Sequence, residues 1–261
     1  MALINQCSSK PLVSIVMPVH NDEKFLKQAI DSVLEQSFQD FELLIVNDGS
    51  TDSSEIIISS YKDNRIIFIN NNISHGAAAA RNIALKKANG KYIAFLDADD
   101  IWKENKLEEQ VQFMIATNCS FSYTKYDVIN EDGAYMYSMS GPERINEKLM
   151  NKCCYIGCLT AMYDASKVGI LQVPTVLKKR NDYALWLQAI EKTHQCLLLD
   201  KVLAFYRKQS NGISSNKARL FIWHYRLFRY VKHASPIISM FYALRNIVFY
   251  FGKRKYRYSH E

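Results

Sequence analysis

The chain has 261 residues, of which 48% are hydrophobic and 23% charged, and its net charge is +7 at pH 7. This composition can bury one large core or two small ones, and it excludes an intrinsically disordered protein. The six cysteines and the lack of a charged and then apolar leader favour a reducing cytosol over a secreted disulfide framework.

The first part of the chain alternates between short apolar strands and amphipathic helices, which is typical of an α/β sheet. Strands are predicted at 13–19, 41–46, 66–69 and 92–96. The first helix is predicted to follow Asn21 or Asp22 as its cap, with Phe25, Ala29 and Val33 on its apolar face. Further helices are predicted at 51–61, 76–88 and 102–116.

Beyond residue 117 the pattern changes to short β-like segments, joined by a turn at 131–133, which indicates antiparallel strands added to the sheet. Helices are predicted at 143–151 and 182–191, and a strand at 196–206. The segment CCYIGC (153–158) has no histidine or second cysteine pair at zinc-finger spacing, so we expect buried thiols there.

Three carboxylates follow the strand at 92–96, at Asp97, Asp99 and Asp100. Such neighbours repel one another, and carboxylate oxygens are the ligands that hard divalent cations prefer. The cluster therefore indicates a metal or phosphate site. The alternative is that Asp99 or Asp100 caps the helix that begins near Trp102.

In an open parallel sheet, ligands bind outside the carboxyl ends of the strands. This rule selects three polar loops, 18–21, 47–52 and 97–100, as the walls of one crevice. Asp48 is placed to accept a hydrogen bond from a ribose or a base, or else to stabilise its own turn. Arg81 is predicted near the start of a helix, where it contacts a diphosphate or holds the acidic cluster, unless it is an ordinary surface arginine.

Five motifs in order give the chain its resemblance to a known family: PVHN (18–21), NDGSTD (47–52), GAAAARN (76–82), DAD (97–99) and a later acidic helix start. The chain resembles the family 2 glycosyltransferases with the GT-A fold, a Rossmann-like, mostly parallel sheet flanked by helices. The match is close over 11–116 and looser to about 215. It implies a GT-A domain at 1–215, whose donor half is 11–116 and whose acceptor half is 117–215.

The resemblance also implies the roles of the site residues. Asp99 binds Mn²⁺ or Mg²⁺, while Asp97 and Ala98 contact the ribose or the sugar. Arg81 braces the phosphates or the metal site. The nucleotide, usually uridine, is contacted by Pro18, Val19, Asn21 and Asp48.

The general base of the family lies in an E-D-x-x-x-W element, which 181–186 matches with Asn181 in place of the glutamate. Asp182 is therefore the expected base, with a plain helix cap as the alternative. The late element resembling Y-R-x-H-x-x-S reads YRKQSNGISS (206–215), where Gln209 stands in place of the histidine. Further candidates for the site are Asp100, Trp186, Arg207 and Ser214, the last two for phosphate contact.

Ten basic residues against one acidic residue give the segment from Lys217 onward a charge of +9, and it holds 12 of the 32 aromatic residues. This pattern suits an anionic membrane surface or a nucleic acid, or else the core face of an ordinary helix with solvated basic residues. The longest apolar run, 237–251, is interrupted by Arg245 and Asn246, so no transmembrane span is expected. We predict a basic, helical, membrane-associating extension at 216–261.

The expected function is transfer of a sugar, with glucose as the best match, from a UDP-sugar to an undecaprenyl-diphosphate-linked sugar. The resemblance is to bacterial O-antigen and capsule enzymes, including β-1,3-glucosyltransferases. The expected location is the cytoplasmic face of the membrane, with no nucleic acid partner. The rival interpretations are a nucleotidyltransferase that makes sugar nucleotides, which PVHNDE after the first strand disfavours, and a non-catalytic membrane-binding or nucleic-acid-binding module.

Overall fold

A computed structural model describes residues 10–177, 179–209 and 217–259. Its first part alternates strands and helices as the sequence pattern predicts. The elements, in chain order, are β1 (Val13–Val19), α1 (Leu26–Leu34), β2 (Phe41–Asp48), α2 (Ser54–Ser60), β3 (Ile66–Asn71), α3 (Ala77–Lys87) and β4 (Tyr92–Phe95).

These four strands form a parallel sheet in the order β4-β1-β2-β3. Alternate residues of the strands face opposite layers of helices. Val16, Leu44 and Val46 pack into one buried cluster, whereas Ile15 and Ile45 pack into the other. Because both faces are covered, the strands consist of nearly continuous apolar residues rather than alternating ones.

The second part adds short elements to one side of this sheet. They are β5 (Ile101–Trp102), α4 (Lys106–Thr117), β6 (Phe121–Ile129), β7 (Tyr135–Met139), β8 (Arg144–Asn146), α5 (Glu147–Met150), β9 (Met162–Asp164), α6 (Ala165–Val168), α7 (Asn181–Thr193) and β10 (Gln195–Arg207). Strand β9 lies antiparallel between β4 and β6, β7 lies antiparallel to β6, and β10 lies parallel to β6. The predicted antiparallel additions are therefore present, and the complete sheet is mixed.

In two predicted helices, a strand takes the place of the first residues. The helix expected from Trp102 begins at Lys106, because Ile101 and Trp102 pair with β10. The helix expected at 143–151 is reduced to α5, because β8 also pairs with β10. In both places a strand partner distant in the chain overrides the local helical pattern.

The last part consists of α8 (Lys217–Arg226), a π-helical turn (Leu227–Val231), α9 (Pro236–Gly252) and β11 (Arg257–Tyr258). We refer to residues 217–259 as the extension. Its buried residues Leu227 and Phe228 belong to the same apolar cluster as Trp186, and β11 pairs with β7. The alternative of a core-facing helix is thus correct for the inner side of the extension. The boundary at 215/216 stays a prediction, because residues 210–216 lie outside the described residues.

No helix in the described part of the chain has the length and apolar character needed to cross a membrane.

Candidate active site

The loops after β1 and β2 are joined to each other by hydrogen bonds. Asn21 donates its backbone N–H to Ser50 Oγ (3.0 Å), and its side-chain Oδ1 accepts the N–H of Thr51 (2.8 Å). The N–H of Glu23 likewise donates to Asp52 Oδ2 (2.9 Å). Asn21 has a positive φ of 56°, which asparagine tolerates better than most residues. The first two walls of the crevice are therefore held in place by the fold.

The two residues before this loop differ in exposure. Pro18 is half-buried and Val19 is buried. A nucleotide would meet Val19 through its backbone rather than through its side chain. Contact of the nucleotide with Pro18, Val19 and Asn21 stays a prediction.

The carboxylate of Asp48 is buried and accepts hydrogen bonds from the segment that leads into α3. Its donors are Ser74 Oγ (2.8 Å), the N–H of His75 (3.0 Å) and the N–H of Gly76 (2.7 Å). Burial alone would raise the pKa of Asp48, but these hydrogen bonds hold it below its usual value. Gly49 permits the close approach, because a Cβ there would lie 2.6 Å from the backbone N of Ser74.

The Asp48 carboxylate therefore stabilises the segment before α3, and not its own turn as the alternative expected. Its contact with a ribose or a base stays a prediction.

Arg81 connects the acidic loop to the start of α7. It is 6% exposed, so the alternative of a surface arginine is wrong. Its Nη2 donates to Asp97 Oδ1, and its Nη1 donates to Asn181 Oδ1 (2.9 Å). The same Nη2 lies 3.8 Å from the Sγ of Cys158. The hydrogen bond to Asp97 is the expected contact of Arg81 with the acidic cluster. Contact of Arg81 with a diphosphate stays a prediction.

Asp99 lies in an environment that disfavours its negative charge. Burial raises its pKa to about 6, and the charges of Asp97 and Asp22 add to the effect. One oxygen, Oδ2, accepts a hydrogen bond from Gln209 Nε2 (2.8 Å). Asp22 was expected as a helix cap, but α1 has no side-chain cap, and the Asp22 carboxylate accepts the N–H of His20 instead (3.1 Å).

The residues around Asp99 fit a divalent cation that completes its shell with substrate. Among the described residues, no group of three or more His, Cys, Asp or Glu side chains could enclose a metal by itself. Mg²⁺ sites often use one or two carboxylates together with substrate phosphates and water. Burial is the largest cause of the raised pKa of Asp99, followed by the charges of Asp97 and Asp22, and a bound cation would favour the charged carboxylate.

Asp100 and Arg207 are structural residues rather than parts of the crevice. Asp100 is 1% exposed, and its Oδ1 accepts the backbone N–H of Arg207 (2.9 Å). The Arg207 guanidinium donates to the carbonyl oxygens of Asp99 (3.1 Å) and Glu131 (3.2 Å) and to Gln28 Oε1 (2.8 Å). The donors of Arg207 are thus used internally in this structure, and its contact with a phosphate stays a prediction. The helix-cap alternative for Asp100 is wrong, since it binds β10.

Asp182 lies half-buried in the first turn of α7, the helix that Arg81 contacts at Asn181. Burial disfavours the charged form of Arg81, but the charges of Asp97 and Asp182 raise its pKa, so both carboxylates favour the charged guanidinium. The fold thus brings two acids from distant parts of the chain to one arginine. Trp186 is fully buried between Phe95 and Phe121, so it is a core residue and not a ligand contact.

The sequence profile described as "Glycosyl transferase family 2" matches residues 14–166. Two relatives are similar over most of their length. The "Putative teichuronic acid biosynthesis glycosyltransferase TuaG" of Bacillus subtilis is 40% identical over 80% of this chain and 83% of its own. The "UDP-Glc:alpha-D-GlcNAc-diphosphoundecaprenol beta-1,3-glucosyltransferase WfgD" of Escherichia coli is 36% identical over 95% of this chain and 96% of its own.

The chain belongs to glycosyl transferase family 2. The crystal structure of S. aureus TarS 1–349 in complex with UDP-GlcNAc shares its fold, with a TM-score of 0.71 at 19% identity over 92% of this chain and 72% of TarS. The GT-A fold is thereby confirmed. Membership of the family supports a glycosyltransferase over both rival interpretations.

The structure shows the contacts of the two residues that depart from the family pattern. Asn181, in place of the glutamate, accepts a hydrogen bond from Arg81, and Gln209, in place of the histidine, contacts Asp99. Ser214 lies outside the described residues. Sequence reasoning missed Asp22 and Cys158 as neighbours of the acidic loop. No local signal identifies Cys158, whereas Asp22 directly follows the loop 18–21 that the strand-end rule selects.

Proposed function

We propose that this protein is an inverting glycosyltransferase that moves a sugar from a UDP-sugar to a lipid-diphosphate-linked sugar during bacterial surface polysaccharide assembly. The observation that carries the proposal is the bridge from Asp97 through Arg81 to Asn181. It joins the loop expected to hold the donor to the helix that carries Asp182. The name of WfgD, which is similar over nearly the whole chain, supports glucose and an undecaprenyl-diphosphate-linked acceptor.

The donor diphosphate would lie in the crevice beside Asp97 and Asp99. Mg²⁺ or Mn²⁺ bound by Asp99 would counter the negative charge that develops on the departing UDP. The chain itself contributes Arg81, whose buried guanidinium fixes the orientation of Asp97. The amide of Gln209 fixes one oxygen of Asp99 in the same way. Both carboxylates are thus oriented before the donor binds.

Asp182 would remove the proton from the attacking hydroxyl of the acceptor. Asp182 lies in the first turn of α7, where the backbone N–H groups of the helix start carry a partial positive charge. One base opposite one leaving group implies direct displacement with inversion at the anomeric carbon, so an α-linked donor gives a β-linked product. The location we propose is peripheral, on the cytoplasmic face of the membrane, where a lipid-linked acceptor is available.

Calorimetry of UDP binding, with and without Mn²⁺, tests the donor site. The wild type is expected to bind UDP at least tenfold more tightly with Mn²⁺, and Asp99→Ala is expected to lose this dependence. Asp40→Ala is the matched control, because Asp40 is exposed at the opposite edge of the sheet, before β2.

Incubation of the wild type with a panel of UDP-sugars and a lipid-diphosphate N-acetylhexosamine then identifies the product by mass and linkage. Metal-independent UDP binding would refute the role of Asp99. A product with retained configuration would refute the single-base mechanism.

A further inference from the structure

The outer side of α9 exposes a row of large apolar side chains. Five of them, spaced three or four residues apart, form one stripe along the helix and are between 49% and 76% exposed: Ile237, Met240, Phe241, Leu244 and Val248. We refer to these residues as the apolar stripe. Elsewhere, exposed residues such as Ile56 and Ile115 belong to different helices. Scattered exposed residues are normal, but a continuous exposed row marks a contact surface.

The opposite side of α9 is fixed to the catalytic part of the chain. Asn246 is 1% exposed and lies about 180° around the helix from Ile237. Its Nδ2 donates to the carbonyl oxygen of Asn151 (2.9 Å), and its Oδ1 accepts from Tyr183 Oη (3.0 Å). Tyr183 immediately follows Asp182 in α7. The direction in which the stripe faces is therefore fixed relative to Asp182.

The charged residues of the extension are all basic. Residues 217–260 contain no aspartate or glutamate. Arg226 precedes α9 and Lys255 and Arg257 follow it, and all three are exposed. Arg245 lies next to the stripe, with its guanidinium 4.4 Å from the centre of the Tyr242 ring. An exposed apolar row in a segment whose charged residues are all basic complements an anionic bilayer, in which apolar side chains enter the interface and cations contact the lipid headgroups.

We propose that the apolar stripe of α9 docks this protein on an anionic lipid bilayer and thereby sets the orientation of Asp182 toward a lipid-linked acceptor. The second half of this proposal rests on the proposed function. A helix of 17 residues is roughly 25 Å long, so it would lie in the plane of the interface rather than across the hydrocarbon core. This arrangement requires a helix that packs one side against the protein and exposes apolar residues on the other side. Helix α9 meets both requirements.

Vesicle sedimentation of the full-length chain tests the proposal. The vesicles contain either phosphatidylcholine alone or an equal mixture with phosphatidylglycerol. The stripe variant carries Phe241→Ser and Leu244→Ser, which are 60% and 55% exposed in the wild type. The control variant carries Ile56→Ser and Ile115→Ser, which are 72% and 61% exposed on α2 and α4. If the stripe variant unfolds, Ile237→Ser with Val248→Ser takes its place.

We expect the wild type and the control to bind the mixed vesicles, and the stripe variant to bind them at least tenfold more weakly. Phosphatidylcholine vesicles should bind the wild type more weakly than mixed vesicles do. Equal vesicle binding by the stripe variant would overturn the proposal. So would a wild-type dimer that the stripe variant dissociates, because the occupant would then be a second copy, and so would binding to single-stranded DNA without binding to vesicles.

Transfer assays separate this inference from the proposed function. The stripe variant should lose transfer to a lipid-linked acceptor in vesicles and keep transfer to a short-chain, water-soluble analogue. Loss of both by the stripe variant alone would refute the orienting role. If the wild type transfers sugar to neither acceptor, the proposed function fails, while the vesicle-binding result still decides whether the stripe docks on lipid.

Discussion

The first 117 residues and the extension expose opposite kinds of side chain. In the first part, β2 and β4 are fully buried and β1 nearly so, and Asp48, Asp97, Asp99 and Asp100 lie at or just beyond the carboxyl ends of strands. In the extension, a helix packs one side against the core and leaves the apolar stripe on the other, with no acidic residue from 217 to 260. The first arrangement suits a charged, water-soluble donor, and the second suits a lipid surface.

One apolar core supports both of these surfaces. Leu227 and Phe228 of the extension belong to the same apolar cluster as β1 and α7, so the two regions are not independent bodies. Tyr183 of α7 joins the extension to the helix that carries Asp182, since it follows Asp182 in the chain and bonds to Asn246 in α9. Substitutions at the crevice should therefore lower kcat. Substitutions where the extension contacts α7 should lower the free energy of unfolding.

The largest expected effect is that of Asp182→Asn on the crevice side. Removal of a general base lowers kcat by about 10² to 10⁴, whereas UDP binding should stay unchanged because the donor loops are intact. Steady-state kinetics and UDP calorimetry measure the two quantities separately. Asp40→Asn serves as the control on an exposed aspartate. Retention of full kcat by Asp182→Asn would show that Asp182 is not the general base, and helix capping is no substitute role, because α7 has no side-chain cap.

A smaller loss of about 10²-fold in kcat is expected for Arg81→Lys. A lysine ammonium cannot donate in fork geometry to both Asp97 and Asn181, so the acid loop and α7 lose their common anchor. Arg65→Lys is the matched control, because Arg65 makes a similar fork to Asp63 at 3.0 and 2.7 Å. Equal kcat values for the two variants would show that the bridge has no role in the reaction.

The smallest effect concerns the contact between the extension and α7. There His224 of α8 packs against Tyr183, with 6.2 Å between ring centres. Burial lowers the pKa of His224 from 6.5 to about 3, and the charge of Arg180 adds to the shift. A lowered pKa means that this stability is complete above pH 6.5 and is lost as the pH falls toward 3. At pH 5 the loss is about 2 kcal/mol, at roughly 1.4 kcal/mol for each pH unit.

Denaturant unfolding of the wild type and of His224→Phe at pH 7.5 and pH 5 measures this difference. The phenylalanine keeps a ring against Tyr183 but does not titrate, so its free energy of unfolding should fall less on acidification. Hydrogen exchange should show the wild-type extension opening first at pH 5. The same pH dependence in both proteins would place the acid-sensitive group elsewhere.

Several site features could be predicted because they depend on neighbours in the chain. The acids of 97–100 follow directly on a buried strand, and parallel strands end at the same edge of a sheet. The exact contacts could not be predicted, because their partners lie far apart. Arg81 and Asn181 are 100 residues apart, and Gln209 and Asp99 are 110 apart. Arg207 matches a phosphate-binding motif, yet its donors bind carbonyl oxygens of the chain.

The sequence by itself determined the alternating strands and helices, the carboxylate cluster after β4 and the charge of the extension, because periodicity and composition are local properties. Only the tertiary structure decided that Trp186 is a core residue, that Asp100 binds β10 and that α9 keeps its apolar stripe exposed. The physical reason is that burial and hydrogen bonding depend on which distant segments meet, and a residue's type does not specify its partner.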